Sequence, residues 1–98
     1  MTETLTAQEV IALLELERHP EGGWYRQTFA DEAPDGARHH STAIYYLLEG
    51  EDVSAWHRVD ASEVWHWHAG APLRLRLSHE GKVIDEYLLG CDLRHSQR

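Results

Sequence analysis

The chain is short of cysteine, of basic residues and of long apolar runs. Its single cysteine, Cys91, excludes an internal disulfide and a thiolate metal cluster built within one chain. Its nine Lys and Arg face 17 Asp and Glu, a formal net charge of −8. Those nine are scattered, whereas binding to a phosphate backbone needs them clustered, so nucleic acid is not an expected partner. The same acidic balance repels anionic lipid surfaces. No apolar stretch approaches the ~20 residues of a membrane span. The opening MTETLTAQEV has no basic segment followed by an apolar run, the mark of a secretory signal. No membrane partner is expected, and the expected compartment is the cytoplasm. Internal repeats, linkers and low-complexity tracts are also missing.

What is present fits one folded unit. A chain of 98 residues suffices for one domain with a modest core, read here as 1–98. An apolar fraction of 42% with 27% charged residues argues against global disorder. Four Trp and four Tyr serve either a core or a ligand-stacking surface. Eight His titrate near neutrality and are common ligands and proton carriers.

Thr6 with Glu9 makes a capping-box pattern, and Val10, Ile11, Leu13 and Leu14 follow as an apolar stripe, which predicts a first helix. His19-Pro20 is expected to end it, because the residue before proline avoids the α region. Gly22-Gly23 then predicts a turn. From Trp24 the period changes to alternation. Strands are predicted over Trp24 to Phe29, Thr42 to Leu48, Val53 to Arg58, Glu63 to His68, from Pro72 through Ser78, where Leu73, Leu75 and Leu77 alternate with Arg74, Arg76 and Ser78, and over Val83 to Leu89. Ala30 to His40, with Pro34, Asp35 and Gly36, reads as a loop, and Glu80-Gly81 as a hairpin turn. Short strands at close spacing predict an antiparallel sandwich or barrel. After Leu89 only GCDLRHSQR remains, with no closing strand. The expectation is that another subunit covers the open edge or that the domain is a shortened form of a longer one.

The chemistry is concentrated in residues 54–70. This window holds Trp56, His57, Arg58, Asp60, Glu63, Trp65, His66, Trp67 and His68. Imidazole and carboxylate are the usual ligands of divalent metals and the usual general acids and bases. Strand alternation would place His66 and His68 on one face and Glu63, Trp65 and Trp67 on the other. The residues therefore offer a His57/Glu63 site or a His66/His68 site completed from elsewhere. For Arg26, a surface ion pair stands against an anion contact. Tyr45 and Tyr46 fall on opposite faces, with core as the expectation for either. His39 and His40 read as solvated, and Cys91 as a packed or incidental thiol and not a nucleophile.

His57, Glu63 and Gly70 match the spacing of the first cupin motif, with Val59 where its second histidine would stand. Together with HPEGGWYRQTF at 19–29, STAIYYLL at 41–48 and SAWHRVDASEVWHWHAGAPL at 54–73, the chain resembles the small cupin family labelled Cupin_5, over roughly residues 5–90. That family is similar in fold to sugar-nucleotide epimerases. The resemblance implies a mainly β, antiparallel jelly-roll barrel with one N-terminal helix, often dimeric, so a homodimer is expected. It also implies a pocket lined by His57, Glu63 and the His66/His68 strand. The chain departs from the pattern at Ser62, where the family usually has an acidic residue. It also departs in lacking a second motif with its Pro-x-Gly turn, which in metal-binding cupins supplies a histidine ligand.

Three functions are expected to compete. In the first, the barrel binds a small polar or sugar-like molecule, and isomerase or epimerase chemistry follows. His57 then moves the proton, Glu63 or Asp60 orients it, and Trp56, Trp65, Trp67 and His68 contact the ligand. The second is a metal-dependent oxygenase or isomerase, with a divalent metal as cofactor and His57, Glu63, His66 and His68 as candidate ligands. The third is a non-catalytic binding module or an inactive shortened relative.

Overall fold

The computed structural model describes residues 5–31, 41–59, 61–79 and 81–97. The expectations for the loop at 32–40 with His39 and His40, for Asp60 and for Glu80 lie outside the described residues. The chain forms two compact units, Met1–Arg58 and Val59–Arg98.

The first unit begins with α1, Ala7–Leu14. Thr6 caps it: the Thr6 hydroxyl accepts from the Glu9 N–H at 3.2 Å, and the Thr6 N–H donates to Glu9 Oε1 at 3.1 Å. The reciprocal pair satisfies two of the donors that every helix start leaves open. The helix ends earlier than the His19-Pro20 signal suggests. Glu15 takes a left-handed conformation (φ 54°) and closes the last turn, and the Leu16 N–H returns to the Ile11 carbonyl at 3.0 Å. Leu16 is thereby carried inward and is the buried apolar side chain among the described residues, 8% exposed.

Three antiparallel strands follow in spatial order: β1 (Glu17–Arg18), β2 (Trp24–Asp31) and β3 (Ser41–Leu47). The two-residue β1 carries no sequence signal. It exists because the HPEGG turn folds residues 17–18 back onto 24–25, pairing Glu17 with Tyr25 and Arg18 with Trp24. The Arg18 guanidinium then lies 5.0 Å from the Trp24 ring centroid, a cation–π contact. Strands β2 and β3 pair from Trp24↔Leu47 to Asp31↔Ser41, with a register shift between Gln27 and Phe29. That irregularity leaves Thr28 as the extra residue, and its hydroxyl donates to the Ala43 carbonyl at 3.4 Å. Tyr25 and Tyr46 are cross-strand partners, while Tyr45 pairs with Arg26 and turns to the other face, as alternation requires.

The second unit contains a hairpin of β4 (Leu73–His79) and β5 (Val83–Leu89), paired from Leu73↔Leu89 to His79↔Val83. Leu73 and Leu75 are half-buried while Arg74 and Arg76 are exposed, so the alternation in the sequence is the alternation of the strand. Arg74 and Arg76 both reach Glu86, at 2.9 and 3.2 Å. A 3₁₀ turn at Leu93–His95 follows, capped by Asp92.

Two predicted strands are corrected. Residues 52–59 and 61–68 have no ladder partner among the described residues. Aromatic and β-branched content favours extended backbone, but a strand exists only where a neighbour accepts its hydrogen bonds. The first of these segments instead meets the HPEGG turn through Ala55 and His57.

Candidate ligand site

The HPEGG turn is organised by His19. Its N–H donates to the Gly23 carbonyl at 2.9 Å, its carbonyl accepts from the Gly22 N–H at 3.1 Å, and its Nδ1 accepts from the Glu21 N–H at 3.0 Å. The His19 ring is held between two tyrosines, with centroids 4.9 Å from Tyr25 and 5.0 Å from Tyr46. The Tyr46 hydroxyl donates to the Gly22 carbonyl. Proline at position 20 and two glycines are what so tight a knot needs. Gly22 has φ +110°, and a Cβ there would come closer than 3.0 Å to the Val53 carbonyl oxygen. Gly23 is buried, and a Cβ there would collide with the Leu47 carbonyl oxygen.

The close approach at Gly22 brings segment 53–57 against the turn. The Ala55 N–H donates to the Glu21 carbonyl at 2.7 Å. This anchors the backbone two residues before His57. His57 Nδ1 lies 2.8 Å from the Ala55 carbonyl oxygen and makes an ion-pair contact with Glu21 Oε2. That carboxylate oxygen is buried, although the two side chains as wholes are 36% and 33% exposed. No hydrogen bond reaches that oxygen, so its relation to His57 is one of proximity.

His57 therefore sits in a built environment, and the carboxylate beside it in the first unit is Glu21. Sequence reasoning assigned the orienting role to Glu63 or Asp60. The available signal was the string HPEGGW, whose glutamate stands between a histidine-proline and a glycine pair. Trp56 is 61% exposed. Arg26 forms a surface ion pair, 3.0 Å from Glu15 with both side chains at least half exposed.

The remaining sequence-level site residues belong to the second unit. Glu63, His66 and His68 are exposed, while Trp65 and Trp67 are half-buried. Trp67 Nε1 donates to the Ala71 carbonyl at 3.1 Å, which gives this indole a local structural partner. Cys91 is exposed and free. An open hollow of about 370 Å³, lined by Glu86, Tyr87, Leu88 and Ser96, lies on the hairpin and contains none of the sequence-level site residues.

Among the described residues no group of three or more His, Cys, Asp or Glu side chains converges. His57 Nδ1 and His19 Nδ1 are both committed within the protein. Among the described residues no helix is long and apolar enough to cross a membrane.

Among the described residues, one α-helix, antiparallel strands in two sheets and a histidine anchored in the first-motif segment define a cupin-type protein. Residues 8–98 match the family described as Cupin superfamily (DUF985), Cupin_5, and the chain belongs to that family. It is similar to the crystal structure of protein SO0799 from Shewanella oneidensis, with 38% sequence identity and a TM-score of 0.90. That match covers 97% of this chain and 61% of the Shewanella chain, so the present sequence spans less than two thirds of the solved relative. Comparison with curated proteins gave no match.

Proposed function

We propose that this cupin domain binds a small polar, sugar-like molecule bearing a carbonyl group, and that His57 is the group that moves its proton. The observation carrying this reading is the anchoring of His57: its segment is fixed by the Ala55 N–H to the Glu21 carbonyl, and its ring is held by the Ala55 carbonyl with the Glu21 carboxylate beside it. A side chain with two independent restraints on a part-exposed segment is organised to present its other nitrogen. Imidazole is suited to abstract a proton from carbon next to a carbonyl near neutral pH. In that step the C–H bond breaks, its electron pair moves onto the carbonyl oxygen as an enolate, and the proton goes to Nε2. Return of the proton to carbon gives the isomer or epimer.

Glu63 keeps its place in the proposal through the resemblance, which pairs its position with that of His57. Trp56, Trp65, Trp67 and His68 remain the proposed ligand contacts on the same ground. A homodimer in the cytoplasm is the proposed working form.

The test is a thermal-shift panel of free hexoses, sugar phosphates and nucleoside-diphosphate sugars, followed by solvent-deuterium incorporation for any that bind. Binding that is lost in a folded His57→Gln protein, with deuterium entering only in the wild type, supports the reading. A His57→Gln protein that keeps full affinity and exchange sinks it.

A further inference from the structure

We infer that the face of the β4–β5 hairpin carrying Arg74 and Arg76 is a binding site for a small phosphate monoester, with the phosphate on the two guanidiniums and the organic body in the hollow beside them. The site lies within the second unit and uses no residue of the His57 reading, so either can fail without the other.

Strand alternation puts Arg74 and Arg76 on one face of β4. Their cross-strand partners are Leu88 and Glu86, which share that face. Glu86 and Leu88 also line the open hollow of about 370 Å³, together with Tyr87 and Ser96. The arginine pair and the hollow therefore adjoin on the same side of the hairpin. Ser96 comes from beyond the hairpin, and the chain builds its position. Asp92 Oδ1 accepts the Arg94 N–H at 3.2 Å, and the Asp92 N–H donates to Gln97 Oε1 at 3.1 Å. The Ser96 N–H donates to the Leu93 carbonyl at 3.3 Å. Gln97 also packs on Gly90, where a Cβ would fall closer than 3.0 Å to the Gln97 side-chain oxygen. The 3₁₀ turn is thereby held against the end of β5, and Ser96 is carried to the hollow.

Glu86 keeps the two guanidiniums side by side. Arg76 Nε donates to Glu86 Oε2 at 3.2 Å. Arg74 Nε lies 2.9 Å from Glu86 Oε1 as an ion-pair contact, and among the described residues no hydrogen bond engages the Arg74 guanidinium or the Ser96 hydroxyl. One carboxylate thus answers two cations, and this face keeps an excess of positive charge in a chain whose formal net charge is −8. Guanidinium donors gathered in excess of acceptors suit an anion. A phosphate monoester fits them better than a carboxylate on two grounds. It carries a charge of about −1.5 to −2 near neutral pH, and its terminal oxygens can span both guanidiniums. A carboxylate would offer only what Glu86 already provides. The hollow, with Leu88 in its lining, gives an organic body room and apolar surface to cover, so a bare ion would use only part of the site.

The test is an NMR titration of the 98-residue chain with inorganic phosphate and with phenyl phosphate, at an ionic strength held constant with sodium chloride because exposed charges are screened. Saturable shifts are expected at the Arg74 and Arg76 Nε–H signals and at the Ser96 amide with both probes. Phenyl phosphate should bind about threefold or more tighter, from the apolar area covered in the hollow. Arg74→Gln and Arg76→Gln should each weaken phenyl phosphate about fivefold or more, the loss of a charge-assisted contact. Arg26→Gln removes the same charge from the first unit and should change the affinity less than about twofold. Wild-type shifts that never saturate overturn the inference before any variant is made. Equal weakening by Arg26→Gln and Arg74→Gln overturns it too, since affinity would then follow net charge. Equal affinity for the two probes takes the hollow out of the site and overturns the choice of a phosphate monoester.

Discussion

Gly22→Ala should sever the link between the HPEGG turn and the segment carrying His57. A side chain at φ +110° costs about 1–3 kcal/mol in backbone strain. The added Cβ also falls closer than 3.0 Å to the Val53 carbonyl oxygen, a backbone atom that cannot rotate aside. Segment 53–57 must retreat, which strains or breaks the Ala55–Glu21 bond at 2.7 Å and the Tyr46 hydroxyl bond to Gly22. Each is worth about 1 kcal/mol. The combined loss is therefore about 3–5 kcal/mol, against a total stability of about 5–15 kcal/mol for a typical domain. Gly81→Ala is the matched control. Gly81 also has positive φ, +71°, but a Cβ there meets nothing within 4 Å, so only the backbone cost of about 1–2 kcal/mol applies. Urea unfolding followed by tryptophan fluorescence measures both. The His57 ring signals should move in the Gly22 variant and stay in the Gly81 variant. Equal losses for the two substitutions, or an unmoved His57 in a folded Gly22→Ala protein, would refute the claim that Gly22 is where turn and segment meet.

Three further outcomes follow from the geometry. Thr6→Ala removes the oxygen that accepts from Glu9 and should cost about 1 kcal/mol in urea unfolding, most of it recovered by Thr6→Ser. Glu86→Ala removes two exposed ion pairs, with Arg74 and Arg76; it should cost less than about 1 kcal/mol, and the difference from wild type should shrink as salt rises. Cys91 is exposed and free, so a thiol reagent should label it completely in the native protein at the rate of an unfolded control. Protection would mean that the 90–97 segment covers it.

The helix and both long hairpin partners could be read from the sequence because their signals are local. Thr6 and Glu9 are three residues apart and cap the same turn; Leu73, Leu75 and Leu77 alternate with Arg74 and Arg76 and pair with the strand that follows directly. The end of α1 was misplaced because Glu15 adopts a left-handed conformation that no glycine announces. Residues 53–58 and 63–68 have the composition of strands without the ladder partners. Composition reports a preference for extended backbone and says nothing about whether a neighbouring strand is there to pair. Motif spacing singles out His57 and Glu63, whereas the contact between Glu21 and His57 is made through a glycine turn distant in sequence and has no local signal. The family assignment rests on the strings at 19–29, 41–48 and 54–73 and on the match over residues 8–98.

The most direct trial of a ligand site at His57 is a crystal structure of the protein purified straight from cells, without added ligand. The account predicts density for a small molecule with an oxygen or a carbon-bound hydrogen next to His57 Nε2, at about 3 Å, while Nδ1 stays on the Ala55 carbonyl. A His57 ring swung away from Glu21, or an Nε2 packed against protein atoms with no space beside it, would contradict it.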